Sequence, residues 1–497
     1  MSSAASAPAE RLARHTAYNG LAQFLPQLVG LVTIPFLLGA LGPAAYGVWA
    51  LVNTVVVVFV TLDGGISVSA QRFYALYAAQ QDDDRAARLT ASAGAALIGL
   101  TGVLFALGGP FAALVLAVTE LPAEVVAGAD YLFRRIGIVV GLLLVGNLLL
   151  GYLRAHSRFG LIAVATALSQ AALCLVLWLH RDGLTLPVMF LVLVAQLGTN
   201  VVVMALGAAR HLASLRWRFA AREQLSEFWA YASRSLVVNV SGLALLQAGP
   251  IFVAAFAPIE QVGFLGVAGQ LASAVRSFPM FALPPVLTVI TRTFGSDGAT
   301  AAVAKAGAFN RVWVPAVVGY ASIAAAGMWF VARGFAGALP VAQAAAVLLT
   351  VGYACNLVTG VSTACTNAIG RPGLGARYSA VSAIATVLVT GPVAFVGGAV
   401  GAAVAVLLVQ AGSLGYFLRL LRREVPDLDR GSALHLPAAL ASGALTVAAG
   451  WLSLTWGPRS PAALVAALAA VGIGFLGYAV LGRRWLAQAR ALTGRSG

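Results

Sequence analysis

The sequence predicts an all-α integral membrane protein with about fourteen transmembrane helices, and three observations predict it. Apolar residues make up 60% of the 497 and charged residues only 9%, too few to clothe a soluble protein of this size. Apolar runs of about twenty residues, the length that carries a helix across the hydrocarbon core, recur along nearly the whole chain. The charged residues are crowded into the short connections between those runs, and no polar stretch is long enough for a soluble catalytic domain.

The elements follow in order. Residues 1–18 are polar, carry Arg11 and Arg14, and show no cleavage site behind a short apolar core, so the first apolar run is read as a retained helix. Hydropathy and breakers then place helices near 21–41, 45–62, 89–117, 128–153, 160–179 and 185–209, a first lobe over 19–209. A basic linker follows at 210–228. A second lobe over 229–420 holds helices near 229–256, 262–290, 311–331, 341–366, 377–396 and 400–418. Two further helices occupy 434–482, and a basic tail occupies 483–497.

An even number of helices leaves both ends on one side. With that side cytoplasmic, 24 of the 31 Lys and Arg residues fall in cytoplasmic segments, and only Arg181, Arg333 and Arg459 fall outside. Basic residues near helix ends resist translocation, so the asymmetry orients the chain as a multi-pass protein with both termini cytoplasmic, in what the resemblance given below implies is a bacterial inner membrane. Topology therefore accounts for the net charge of +15, and without a folded polar surface no nucleic-acid partner is expected.

The two lobes repeat at a long period. Tyr18 pairs with Tyr231, Pro43 with Pro258 and Arg154 with Arg371, at separations of 213, 215 and 217 residues. Six helices per lobe preserve orientation, which is the pattern of a parallel duplication. The cysteines Cys174, Cys355 and Cys365 sit singly in apolar runs and read as packing residues, so no metal is expected.

Several stretches share a recognisable order. They are Asn19-Gly20-Leu21-Ala22-Gln23, Ile34-Pro35-Phe36-Leu37-Leu38, Leu41-Gly42-Pro43 with Tyr46-Gly47-Val48-Trp49, Leu62-Asp63-Gly64-Gly65-Ile66, and Gln71-Arg72. Echoes follow at Gly151-Tyr152-Leu153-Arg154, Val262-Gly263-Phe264-Leu265 and Asn367-Ala368-Ile369-Gly370-Arg371-Pro372. Together, over about residues 15–420, the chain resembles the polysaccharide transporter or O-antigen flippase (Wzx-like) family of the MATE/MOP exporter superfamily.

The resemblance implies two six-helix lobes plus two C-terminal helices, alternating access, and movement of undecaprenyl-pyrophosphate-linked oligosaccharide to the outer leaflet for cell-surface polysaccharide biosynthesis. It implies no enzyme activity and no cofactor beyond a coupling ion of unknown identity. Its partners would be the lipid-linked oligosaccharide and membrane lipids, with polysaccharide polymerases and glycosyltransferases as candidates. Gln247 departs from the pattern, standing in the seventh helix where many relatives are expected to carry an acid, which leaves ion coupling there in doubt.

Charges inside the membrane mark transport residues or structural ones. Arg276 lies near the middle of the eighth run, on a helix that also carries Gln270, Ser273 and Ser277. It is either a ligand contact or a structural arginine bonded to carbonyls freed by Pro279, Pro284 and Pro285. Arg134 and Arg135 enter the fourth helix together, with Asp130 four residues before Arg134 to neutralise it. Arg234 is near enough to a helix end to anchor in headgroups, and Asp63 ends the second run as a turn residue or an ion partner.

Asn19, Gln23 and Gln27 form a polar stripe on the first helix, and Asn356, Thr359, Thr363 and Asn367 form one on the tenth. Such stripes suit sugar hydroxyls or polar helix packing. Four arginines against Asp63 and Asp130 leave the membrane region positive, which favours a pyrophosphate over the cations of a drug antiporter, the alternative within this fold. Asp82-Asp83-Asp84-Arg85 raises a glycosyltransferase or prenyltransferase site as a further alternative, but reads better as a solvated charge run. A polymerase would want a large external loop, which the chain lacks.

Overall fold

A computed structural model describes residues 6–156, 158–209, 219–280, 283–336, 339–371, 373–429, 436–451 and 461–481. The side chains of residues 6–23, 60–72 and 229–242 are outside that description. Every regular element among the described residues is helical. In chain order they are α1 (Ser6–Gln80), α2 (Asp83–Ala106), α3 (Gly108–Val118), α4 (Ala123–Arg134), α5 (Ile136–Ala155), α6 (Phe159–Leu179), α7 (Leu186–Gly207) and α8 (Arg222–Phe256). Then come α9 (Ile259–Met280), α10 (Leu283–Ala336), α11 (Pro340–Val358), α12 (Gly360–Ala368), α13 (Gly373–Glu424), α14 (Leu436–Trp451) and α15 (Pro461–Leu481).

These elements map onto the fourteen runs read from hydropathy. α1, α10 and α13 are each two arms that meet at Gly42, Gly298 and Gly398. Conversely α2 with α3, α4 with α5, and α11 with α12 are single spans interrupted at Leu107, Arg135 and Thr359. The eighth run holds α9 and the first arm of α10, with residues 281–282 between them outside the described residues.

The turn at Gly398 is made by one residue at φ 54°, ψ −134°, a conformation that only glycine takes without strain. The Gln261 side-chain oxygen accepts from the Ala399 N–H at 2.9 Å, so the turn's exposed donor is satisfied. The acidic run Asp82–Asp84 starts a helix. Asp82 caps α2 by accepting from the Arg85 N–H at 2.9 Å, and Asp83 and Asp84 occupy the first turn, where carboxylates favour the helix dipole.

The outward surface is apolar, as lipid requires. Val396 is 86% exposed and Leu206 71%, exposures that would be costly for a soluble fold and are ordinary against hydrocarbon. Between helices, association depends on close contact instead of water exclusion, and small residues make it possible. A Cβ on Gly137 would come within 2.6 Å of the Phe105 backbone nitrogen, so α5 lies directly against the α2 backbone.

The chain divides into two compact units. The first is Met1–Leu243 with Pro258–Glu260, and the second is Ala244–Ala257 with Gln261–Gly497. The contact boundary falls inside α8, later than the linker at 210–228 by which the sequence divides the lobes. Within the first unit the Arg158 guanidinium donates to the carbonyl of Gly207, the last residue of α7, at 2.8 Å. Within the second, the Arg371 guanidinium donates to the carbonyl of Glu424, the last residue of α13, at 2.7 Å. A cation thus caps the carbonyl end of α7 in the first unit and of α13 in the second.

Alanine at Gly137 and at Gly198 gains the same helix propensity, but the Cβ meets backbone at the first and open space at the second. Gly137→Ala is expected to lower stability by about 1–3 kcal/mol. Gly198→Ala is expected to change it by no more than about 0.5 kcal/mol to the unfavourable side. Thermal unfolding in detergent distinguishes the two.

Candidate functional site

The site is built in the second unit, on α9. Pro279 has no N–H, so the carbonyl four residues earlier, that of Val275, loses its helical partner inside the apolar region. The structure gives that carbonyl a donor from another helix: the Tyr320 hydroxyl of α10, at 2.8 Å. Pro284 and Pro285 follow Leu283, the first described residue of α10. The carbonyl freed by Pro279 is therefore satisfied without Arg276.

Arg276 is half-buried and points at α11. One terminal guanidinium nitrogen donates to the Asn356 side-chain oxygen at 3.4 Å, at the long end of the hydrogen-bond range. Its central carbon lies 5.7 Å from the ring centroid of Tyr353. Its Nε is buried and without a partner, and no carboxylate pairs with it among the described residues. Of its five N–H donors, one has an acceptor among the described residues.

Asn356 is itself placed by a network. Its amide donates to the Tyr378 hydroxyl at 3.1 Å. The helix carrying Asn356 breaks immediately after it, at Thr359, whose hydroxyl donates to the Asn356 carbonyl at 2.7 Å. The Leu357 carbonyl left by the break accepts from the Trp313 indole N–H at 2.8 Å. Gly360 lets α12 approach this corner, since a Cβ there would come within 2.9 Å of Leu283. Arg276 thus lies among neutral hydroxyls, an amide and aromatic rings. That is an environment for an anion with several acceptor oxygens.

The remaining sequence candidates are distributed over both units. On α9 Gln270 is exposed, on α12 Thr363 is half-buried, and neither hydrogen-bonds to Arg276. Gln247 is half-buried in α8. In the first unit Arg134 pairs with Asp130 at 2.6 Å, as their spacing predicts. Arg135 sits at the break between α4 and α5, with its guanidinium 3.8 Å above the Tyr131 ring and a bond of 3.2 Å to the Tyr131 carbonyl. Both arginines already have local partners. Gln27 is half-buried in α1, whereas the side chains of Asn19, Gln23, Asp63 and Arg234 lie outside the described residues.

The first unit also holds a cavity of about 780 Å³, lined by Gly42, Pro43, Tyr131 and Pro187 and by the carboxylates Glu124 and Glu260. Its only charged side chains are acids and none of the proposed site residues lines it, so it does not suit an anion.

Sequence reading missed Tyr320, Tyr353, Tyr378 and Trp313, because each sits in an apolar run and reads as bulk. One signal was available. Pro279 orphans a carbonyl at a known position, and buried orphans demand a donor.

No protein-family model matches the sequence, and no curated protein matches it in sequence. Among solved structures, the chain is similar to the lipid II flippase MurJ in an inward closed conformation, with a TM-score of 0.67, 12% identity, and coverage of 94% of this chain and 99% of that one. It is also similar to an inward-facing multidrug resistance MATE family transporter of the MOP superfamily, with a TM-score of 0.64, 14% identity, and coverage of 82% and 96%. The eukaryotic MATE transporter AtDTX14 gives a TM-score of 0.53 at 14% identity, over 87% of this chain and 97% of that one. At such identities the likeness is one of fold: an all-α multi-pass membrane architecture of MATE type.

Trp313→Phe keeps the ring and deletes the donor to Leu357. It is expected to cost about 1–3 kcal/mol, the penalty of an unsatisfied buried carbonyl, read as a lowered unfolding midpoint in detergent.

Proposed function

We propose that the protein is a flippase that moves undecaprenyl-pyrophosphate-linked oligosaccharide from the cytoplasmic to the outer leaflet of a bacterial inner membrane, by alternating access, for cell-surface polysaccharide assembly. The observation that carries this reading is Arg276: a guanidinium in an apolar run, with neutral partners and a buried Nε that no described residue engages. A fixed cation facing hydroxyls fits a diphosphate, whose oxygens accept two parallel bonds from one guanidinium. A cationic drug would want a carboxylate at that place, and none pairs there among the described residues.

Supporting this are the shared fold with a lipid II flippase and the uneven distribution of basic residues along the sequence. The lipid tail would stay in the bilayer while the head group crosses. Candidate partners are the enzymes that make and polymerise the oligosaccharide. Arg134, Arg135, Arg234, Asp63 and the polar stripes of the first and tenth helices are proposed to line the path taken by the head group.

Cells lacking the protein are expected to accumulate the lipid-linked oligosaccharide in the cytoplasmic leaflet. Arg276→Ala at normal abundance should lower export about tenfold or more, and Arg276→Lys should recover part of it, since a charge remains but the bidentate fork is lost. Full export by Arg276→Ala would sink the assignment. Absence of accumulation together with ion-dependent drug export would favour the antiporter.

A further inference from the structure

The two helices that follow the second lobe are packed against α10 by contacts that admit no larger side chains. A Cβ on Gly474 of α15 would overlap the Thr446 hydroxyl, and one on Gly327 of α10 would overlap Val471. Ile323, fully buried, has Val318, Val471 and Phe475 around it. On the same face of α15, the ring of Phe475 stacks on Tyr320, with centroids 5.5 Å apart and planes tilted by 31°.

Tyr320 is therefore held on one side by α15 and reaches with its hydroxyl to the other, where it donates to the Val275 carbonyl at 2.8 Å. Val275 immediately precedes Arg276, and its carbonyl is the one that Pro279 leaves without a helical donor. A carbonyl in that position has two arrangements open to it: bonded to Tyr320, or turned to find another donor with the backbone of α9 displaced.

We infer that Tyr320, braced by Phe475 of the last helix, is a positioning residue that fixes the α9 backbone at Val275 and so aims Arg276 at its ligand. The inference rests on the reading of Arg276 as a phosphate contact, and it assigns a task to α14 and α15: they set the geometry of the site from outside the six-helix lobe. Tyr320 acts through the backbone and touches no ligand.

Pro279 supplies the test. Restoring an N–H at position 279 gives the Val275 carbonyl a helical partner, so the Tyr320 hydroxyl then has nothing left to do. The purified full-length chain, with Cys174, Cys355 and Cys365 replaced by alanine and Arg276→Cys introduced, is labelled with a charged methanethiosulfonate reagent. Tyr320→Phe, which keeps the ring stack on Phe475, is expected to change the labelling rate at position 276 by about fivefold or more. In the Pro279→Ala background, Tyr320→Phe is expected to change it by less than about twofold.

A simple packing role for Tyr320 would give the same effect in both backgrounds, and that result, or no effect in either, overturns the inference. A parallel measurement uses the chain with Arg276 intact and inorganic pyrophosphate as the probe. Tyr320→Phe should weaken its binding with Pro279 present and not with Pro279→Ala. If Arg276→Ala leaves pyrophosphate binding unchanged, the phosphate reading of the site fails, while the labelling cycle still decides whether Tyr320 positions residue 276.

Discussion

A backbone carbonyl in hydrocarbon must have a donor, because no water is there to supply one, and the second unit is arranged around meeting that demand where its helices break. Pro279 removes a backbone donor from α9, and α11 ends at Thr359 across the site. Tyr320 and Trp313, both on α10, supply the missing donors. One helix therefore supports both, and the guanidinium of Arg276 is spared from acting as a patch for the backbone. The same demand at the helix ends is met by Arg158 and Arg371, one in each unit.

Packing follows a second constraint of the same solvent. Lipid tails are as apolar as leucine, so helices gain little by touching unless they touch closely. Gly137 against the backbone at Phe105, Gly360 against Leu283 and Gly474 against Thr446 are points where that closeness is reached. Some of these contacts lie beside interruptions: α12 begins at Gly360, and Gly108 opens α3 against the Arg134 carbonyl, where α4 ends. Breaks and close contacts coincide because a helix that bends must be held at the bend.

The sequence made the fourteen spans legible, since length and hydropathy are local properties that the bilayer imposes. The pairing of Arg134 with Asp130 was legible too, because four residues is one helical turn. The break at Arg135 was not: nothing in Phe133-Arg134-Arg135-Ile136 disfavours a helix, and the bend answers to a neighbouring backbone. Arg276 was identifiable as a charge in an apolar run, but its surroundings were not, because hydropathy does not determine helix rotation. Which of several tyrosines would reach Val275 was likewise a tertiary fact. The basic linker at 210–228 marks the middle of the chain, yet the contacts assign the start of α8 to the first unit, since a helix packs where its side chains fit and not where the repeat is counted.

The one-residue turn at Gly398 bears on how the chain enters the bilayer. Arg371 and Arg377 lie at the start of α13 and Arg419, Arg422 and Arg423 at its end, while the stretch from Ser379 to Tyr416 carries no charge at all. With a single residue to turn on, the second arm has no slack to wait in water while the first inserts. The two arms are thus joined as one hairpin unit, with the basic residues at its open end. Gly398 is therefore a condition of biogenesis as well as of the finished shape.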